Sequence, residues 1–144
     1  MRGTPDTNFT LTGGTLNISD AGAVAVQVWR GVNTVTTLDV TSTTATGINT
    51  VLCDPPAITP TTTGAIIVSG GAGGHDNIAG AQTYSSSNLT QFISVGRVDT
   101  NAVTIGLGYN AWTSGAFNPA QFTFSAADDT TYSWAAVTLA LRPA

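Results

Sequence analysis

The chain contains no lysine and no glutamate, so two strong helix formers are missing from all 144 positions. Threonine, which is β-branched and suits a pleated surface, is the commonest residue. Gly, Thr and Pro interrupt nearly every window in which Ala and Leu might still sustain a helix. The expected fold is all-β: one antiparallel β-sandwich, jelly-roll-like, over residues 1–144, with residues 1–20 as an N-terminal arm or edge strands.

The same omission narrows the chemistry. All four bases are arginines, all eight acids are aspartates, and the formal net charge is −4. Charged residues make up 8% of the chain, about a third of the ~25% usual in soluble domains. Solubility then rests on hydroxyls and amides, or much of the surface is covered by other subunits. Four scattered arginines neither neutralise a phosphate backbone nor form a polybasic membrane patch, so nucleic acid and anionic membranes are not expected partners. No apolar run approaches the ~20 residues of a membrane helix, so membrane insertion is not expected. Residues 1–5 lead into polar positions, and no secretory signal is expected. The sequons at Asn8, Asn17 and Asn88 are read as chance products of an Asn- and Thr-rich chain.

Period-two segments between turn signals mark the strands. Residues 9–12 and 16–18 are short examples. Residues 23–30 are the clearest, with Val24, Val26 and Val28 on one face and Ala23, Ala25, Gln27 and Trp29 on the other. Both faces are largely apolar, which predicts a central strand covered on both sides or at a subunit contact. Residues 35–40 are a weaker, exposed strand. Residues 41–63 are a Thr/Pro-rich connector without useful period, and Asp54-Pro55-Pro56 bars a central strand there. Residues 64–69 are a short buried strand, the glycine run 70–74 a flexible connector, and the chain to about Asn88 a polar loop. Further strands are expected at 89–95, 102–109, 121–124 and 132–142, with a turn at 128–131. In the strand 102–109, Gly106 and Gly108 face away from Val103, Ile105 and Leu107, pointing to a bulge or the close approach of another backbone. Helix is the competing reading of 132–141, and the preceding turn favours strand.

Few groups carry chemistry. The strand-then-glycine pattern at 66–74 lacks the lysine of a phosphate loop and the helix start of a dinucleotide fingerprint. His75, the single histidine, stands beside Asp76 in a glycine-rich stretch, without the spatial partners of a hydrolytic triad. It is read as a solvated loop residue, and a hydrolase ranks last among the functions. The single cysteine, Cys53, has no basic neighbour in sequence to lower its pKa and is read as inert. No catalytic residue, cofactor or metal ligand is assigned. Calcium alone among metals stays open, at Asp99 or at Asp128 and Asp129. Trp29, Phe92, Phe124 and Trp134 fall in strand patterns and are expected in the core. Tyr84, Tyr109, Trp112 and Phe117 fall in or beside loops. They are the candidate ligand or partner contacts, and the competing reading has them cap the ends of a sandwich.

Three segments carry a resemblance. Residues 26–32 (VQVWRGV) with Leu38-Asp39-Val40, residues 56–60 leading to 64–68, and the ending 133–143 (SWAAVTLALRP) together resemble β-sandwich proteins of tailed bacteriophages and prophages. The resemblance spans most of residues 20–144 and rests on packing and turn motifs. It implies a non-enzymatic virion component in the head surface, tail or fibre, with other virion proteins and copies of itself as partners. The virion is then the expected location. A carbohydrate-binding module recognising host surface glycan is the alternative, with Tyr109, Trp112 and Phe117 as contacts. Proteins of this kind have further strands before the Trp-Arg-Gly segment. Here some 20 residues precede Ala23, which implies either a reduced form or a sheet completed by neighbouring subunits.

Overall fold

A computed structural model describes residues 22–48, 52–76, 82–97, 101–125 and 133–144. The expected strands at 9–12 and 16–18, the arm 1–20, Asp99 and the turn at Asp128 and Asp129 lie outside the described residues. The described chain is all-β and antiparallel, without a helix. Its strands are β1 (Thr43–Ile48), β2 (Ile66–Asp76), β3 (Tyr84–Ser85), β4 (Thr90–Arg97), β5 (Asn101–Ala111), β6 (Thr123–Phe124) and β7 (Ser133–Leu141). Five form one sheet in the order β1-β7-β2-β5-β4, and β3 pairs with β6 in a second, two-stranded sheet. Two isolated bridges, Cys53 to Phe122 and Ile58 to Phe117, extend that second layer. The two larger sheets of a jelly roll are not among the described pairings.

The core lies between these layers. Residues of even and odd number alternate across the large sheet, as strand geometry requires. Its inner face carries Ile67, Ser69, Gly71 and Gly73 of β2, Thr104, Gly106 and Gly108 of β5, and Ala136, Thr138 and Ala140 of β7. Small residues are needed there because rings from the second layer and the sheet margin press onto the backbone. Cys53, Tyr84, Phe122, Phe124 and Ala136 form one buried cluster, with Leu89, Phe92 and Trp134 against it. Ile58, Ile67 and Ala140 form the other, with Val40, Trp112 and Phe117. Phe92 meets Phe122 edge to face, with centroids 4.9 Å apart. Two hydroxyls enter this interior and satisfy each other: Ser69 Oγ and Thr138 Oγ1 lie 3.2 Å apart across the β2–β7 pair.

Four expectations are corrected. First, the glycine run 70–74 is the middle of the central strand β2, not a connector. A Cβ on Gly71 would collide with Cys53 Sγ and lie 3.3 Å from Phe122, so glycine serves close packing here. His75 consequently belongs to the end of β2, opposite Ala102, and not to a loop. Second, residues 43–48 form β1 within the presumed connector, paired in uninterrupted register with β7. Gly47 leaves room there for the indole of Trp134. Third, residues 35–40 are not a strand. Asn33 Oδ1 accepts the amides of Val35 and Thr36 in a turn, and only Leu38 bridges to Leu141.

Fourth, residues 23–30 are extended but carry no ladder pairing among the described residues. They lie as a strap across the outer face of the large sheet. Ala23, Ala25, Gln27 and Trp29 turn inward, while Val24, Val26 and Val28 point out, 48–73% exposed. The period of two here reports an extended chain with two environments and not a hydrogen-bonded neighbour. Gly106 and Gly108 likewise make room for side chains, the ring of Phe92 above all, and not for a backbone. The bulge falls in β4, between Thr90 and Ile93.

Candidate functional site

Two of the reactive side chains, Cys53 and Asp39, are absorbed by structure. Cys53 is fully buried. Burial, with the Asp54 carboxylate adding to it, pushes its thiol up to about 12. A thiol that holds its proton at neutral pH is no nucleophile. Asp39 is buried as well and receives the backbone amides of Thr61 and Thr62, the Thr61 hydroxyl and Arg142 Nε. Burial alone would raise its carboxyl, and these hydrogen bonds outweigh burial and hold it well below the usual carboxylate range. The Arg142 guanidinium also donates to the Asp39 carbonyl. This cluster ties the end of the chain to the 61–62 corner. No group of three or more metal-ligating side chains occurs among the described residues.

The four aromatic candidates do not form one site. Tyr84 is 3% exposed and packs against Phe122 and Phe124, with centroids 5.7 and 5.6 Å away. It belongs to the core. Trp112 and Phe117 close one end of the fold over Ile58, Ile67 and Ala140. Trp112 Nε1 donates to Gly115 O at 2.8 Å, and Gly115 adopts φ 71° to shape that turn. Their placement matches the end-capping reading. Tyr109 alone points to the outer face, where it meets Trp29 of the strap edge to face at 4.9 Å. Trp29 is therefore half-buried on the opposite side of the sheet from the core to which its strand pattern assigned it.

Asn88 of the third sequon is a structural hub. Its Nδ2 donates to Asn118 O, its Oδ1 accepts the Ala120 amide, and its carbonyl accepts Asn110 Nδ2. A side-chain amide engaged on both atoms supports the reading of this sequon as chance.

What remains is the outer face itself. Ile105 and Leu107 of β5, Val137 and Ala135 of β7, Gly70 and Ala72 of β2, and Thr44 and Thr46 of β1 floor a shallow apolar trough of about 560 Å³. Residues 23–25 of the strap line one side of it. Exposed Ile48 at 74% and Val137 at 37% continue the apolar surface. Among the described residues, no strand pairs with the outer edge of β1. β4, at one edge, has a bulge and ends in Arg97; β1, at the other, has neither charge, proline nor bulge. An apolar face joined to an edge that no described strand covers suits burial against protein.

No family model, no curated protein and no solved structure matches this chain.

Proposed function

We propose that the protein is a non-enzymatic structural component of a tailed-phage particle, acting by packing against copies of itself and other virion proteins. The observation that carries this reading is the apolar trough on the large sheet, contiguous with the edge of β1, which is unpaired among the described residues. A free monomer with 8% charged residues has little electrostatic repulsion to keep such a surface apart from others. Pairing along β1 with a neighbouring chain extends the sheet, and Thr44, Thr46 and Val137 then lie under the joint. The phage context is supported by the resemblance of residues 26–32, 56–68 and 133–143 to virion β-sandwich proteins. Head surface, tail and fibre are equally compatible positions.

The test combines sedimentation of the purified chain at micromolar concentration with mass spectrometry of purified particles. The expected result is a discrete homo-oligomer and a fixed multiple copy number per particle. A stable monomer that touches every particle neighbour over less than ~800 Å², as in crystal packing, would overturn the reading.

A further inference from the structure

We propose that the trough is filled by the strap of a second copy, in a face-to-face dimer whose two-fold axis runs alongside the strap. The inference rests on the assembly reading above and names the surface that occupies its apolar face.

The strap and the trough are matched parts of one surface. The outward row of the strap is Gly22, Val24, Val26, Val28 and Arg30, every member exposed. The three valines stand at alternate positions of one extended segment and make a β-branched ridge. Beside it lies the trough, its floor kept low by Gly70, Ala72, Ala135, Thr44 and Thr46. Residues 23–25 are the wall that ridge and trough share. A ridge of branched side chains next to a groove floored by small ones is self-complementary. Rotation by half a turn about an axis parallel to the strap, between ridge and groove, sets the ridge of each copy into the groove of the other. Such a contact is isologous: each copy gives and receives the same patch, and the pair closes on itself. The edge of β1 takes no part in it and stays open to a further neighbour.

Charge and area agree with this occupant. No charged side chain lines the trough, and none occurs from Gly22 to Trp29 along the strap, so the two surfaces match in carrying no charge. A charged peptide finds no counter-ion on either, whereas valine methyls leave water for apolar surface. Five strands ~4.8 Å apart make the face about 24 Å wide, and the nine residues of β7, at ~3.4 Å each, make it about 30 Å long. Each copy therefore offers about 700 Å², close to the ~800 Å² per partner of a standard stable interface.

The test is charge complementation, read by sedimentation and native mass spectrometry of the whole chain. The parent is expected to form an even-numbered oligomer, as a two-fold contact requires. Val26→Asp puts a carboxylate on the ridge, and Val137→Lys puts an ammonium in the trough. Each alone should weaken self-association at least about tenfold, because each buries an unpaired charge twice per dimer. Mixed in equal amounts, the two should recover a dimer with one copy of each. One of its ridge–trough contacts is then parental, and the other pairs opposite charges. Val28→Asp, at the most exposed of the three valines, serves if Val26→Asp does not fold. An odd-numbered ring, association unaltered by the ridge variants, or a mixture no stronger than its components overturns the proposal and leaves self-assembly standing. A monomeric parent overturns both.

Discussion

Asp39 and Arg142 are joined by an ion pair that is dry at one end and wet at the other. Arg142 Nε lies 3.2 Å from Asp39 Oδ1, with the aspartate side chain at 0% exposure and the arginine at 33%. The aspartate is held from the other side by the Thr61 and Thr62 amides. One carboxylate therefore joins the 39–40 segment, the 61–62 corner and the final residues after β7.

Removing that carboxylate should be costly. Asp39→Ala is expected to destabilise the fold by about 3 kcal/mol, the low end for breaking a buried pair, since the arginine left behind reaches water. Urea unfolding followed by tryptophan fluorescence measures it. A loss under ~0.5 kcal/mol would mean that the cluster is ornamental to stability.

The same group sets an acid limit. Its folded pKa lies below the unfolded value, near 3.9 for an aspartate. Its contribution is thus fully present above about pH 4–5 and is lost as pH falls through the window below, toward the folded pKa. The urea midpoint should drop steeply below about pH 4 in the parent protein and more gently in Asp39→Asn.

Cys53 should be silent to thiol reagents while the fold persists. With its pKa pushed up to about 12, the thiolate fraction at pH 8 is about a thousandfold below that of an ordinary cysteine. Labelling by iodoacetamide should follow global unfolding, with the same denaturant dependence as the fluorescence transition. Rapid labelling in native buffer would contradict the buried position.

Filling the glycine gaps should break the core, although alanine ordinarily favours structure over glycine. In Gly106→Ala the new methyl would lie 2.6 Å from Phe92 Cζ and 3.2 Å from two carbons of the Phe122 ring. A loss of about 1–3 kcal/mol is expected from overpacking. Phe92→Leu should restore part of it in the double variant, and a double-mutant cycle with no coupling would refute the contact.

The packing surface has its own variants. Thr46→Lys places a charge on the exposed face of β1, and Val137→Asp places one in the trough. Both should shift sedimentation toward the monomer while far-ultraviolet circular dichroism and thermal midpoint stay within the small changes typical of surface substitutions, about ±0.5 kcal/mol. Unchanged oligomers in both variants would move the interface elsewhere.

The β4, β5 and β7 strands were legible because Phe92, Ile105, Leu107, Val137 and Leu139 give them dense apolar alternation. The β1 strand was hidden because its inward residues are Thr43, Ala45 and Gly47, small groups that carry no hydrophobic signal yet fit beneath Trp134. The glycines of β2 were misread for a related reason. Strand signals are side-chain signals, and a strand packed tightly enough to exclude side chains emits none. The strap failed in the opposite direction: its valines and alanines alternate as in a strand, but ladder hydrogen bonds leave no trace in residue type. The contact of Gln27 Nε2 with Gln91 O was beyond reach because it joins positions 64 apart at a backbone bulge. Tyr109, expected in or beside a loop, lies within β5 on the outer face, and its partner Trp29 was assigned to the wrong face.

The glycine run of β2 also decides how that strand finds its alignment. Opposite β5 it pairs Gly70 with Leu107, Gly71 with Gly106 and Gly73 with Thr104. Side chains normally choose an alignment by attraction, and this stretch has almost none to offer. Sliding by one residue would bring the Ala72 methyl beneath Cys53 Sγ and Phe122, where even a Cβ does not fit. Sliding by two in that direction would bring in Gly73, which passes that test. Ser69, taken from Thr138, Ile67, taken from its apolar cluster, and His75, brought to the buried place of Gly73, then resist. The central strand is thus aligned by exclusion along its middle and by a few side chains at its two ends.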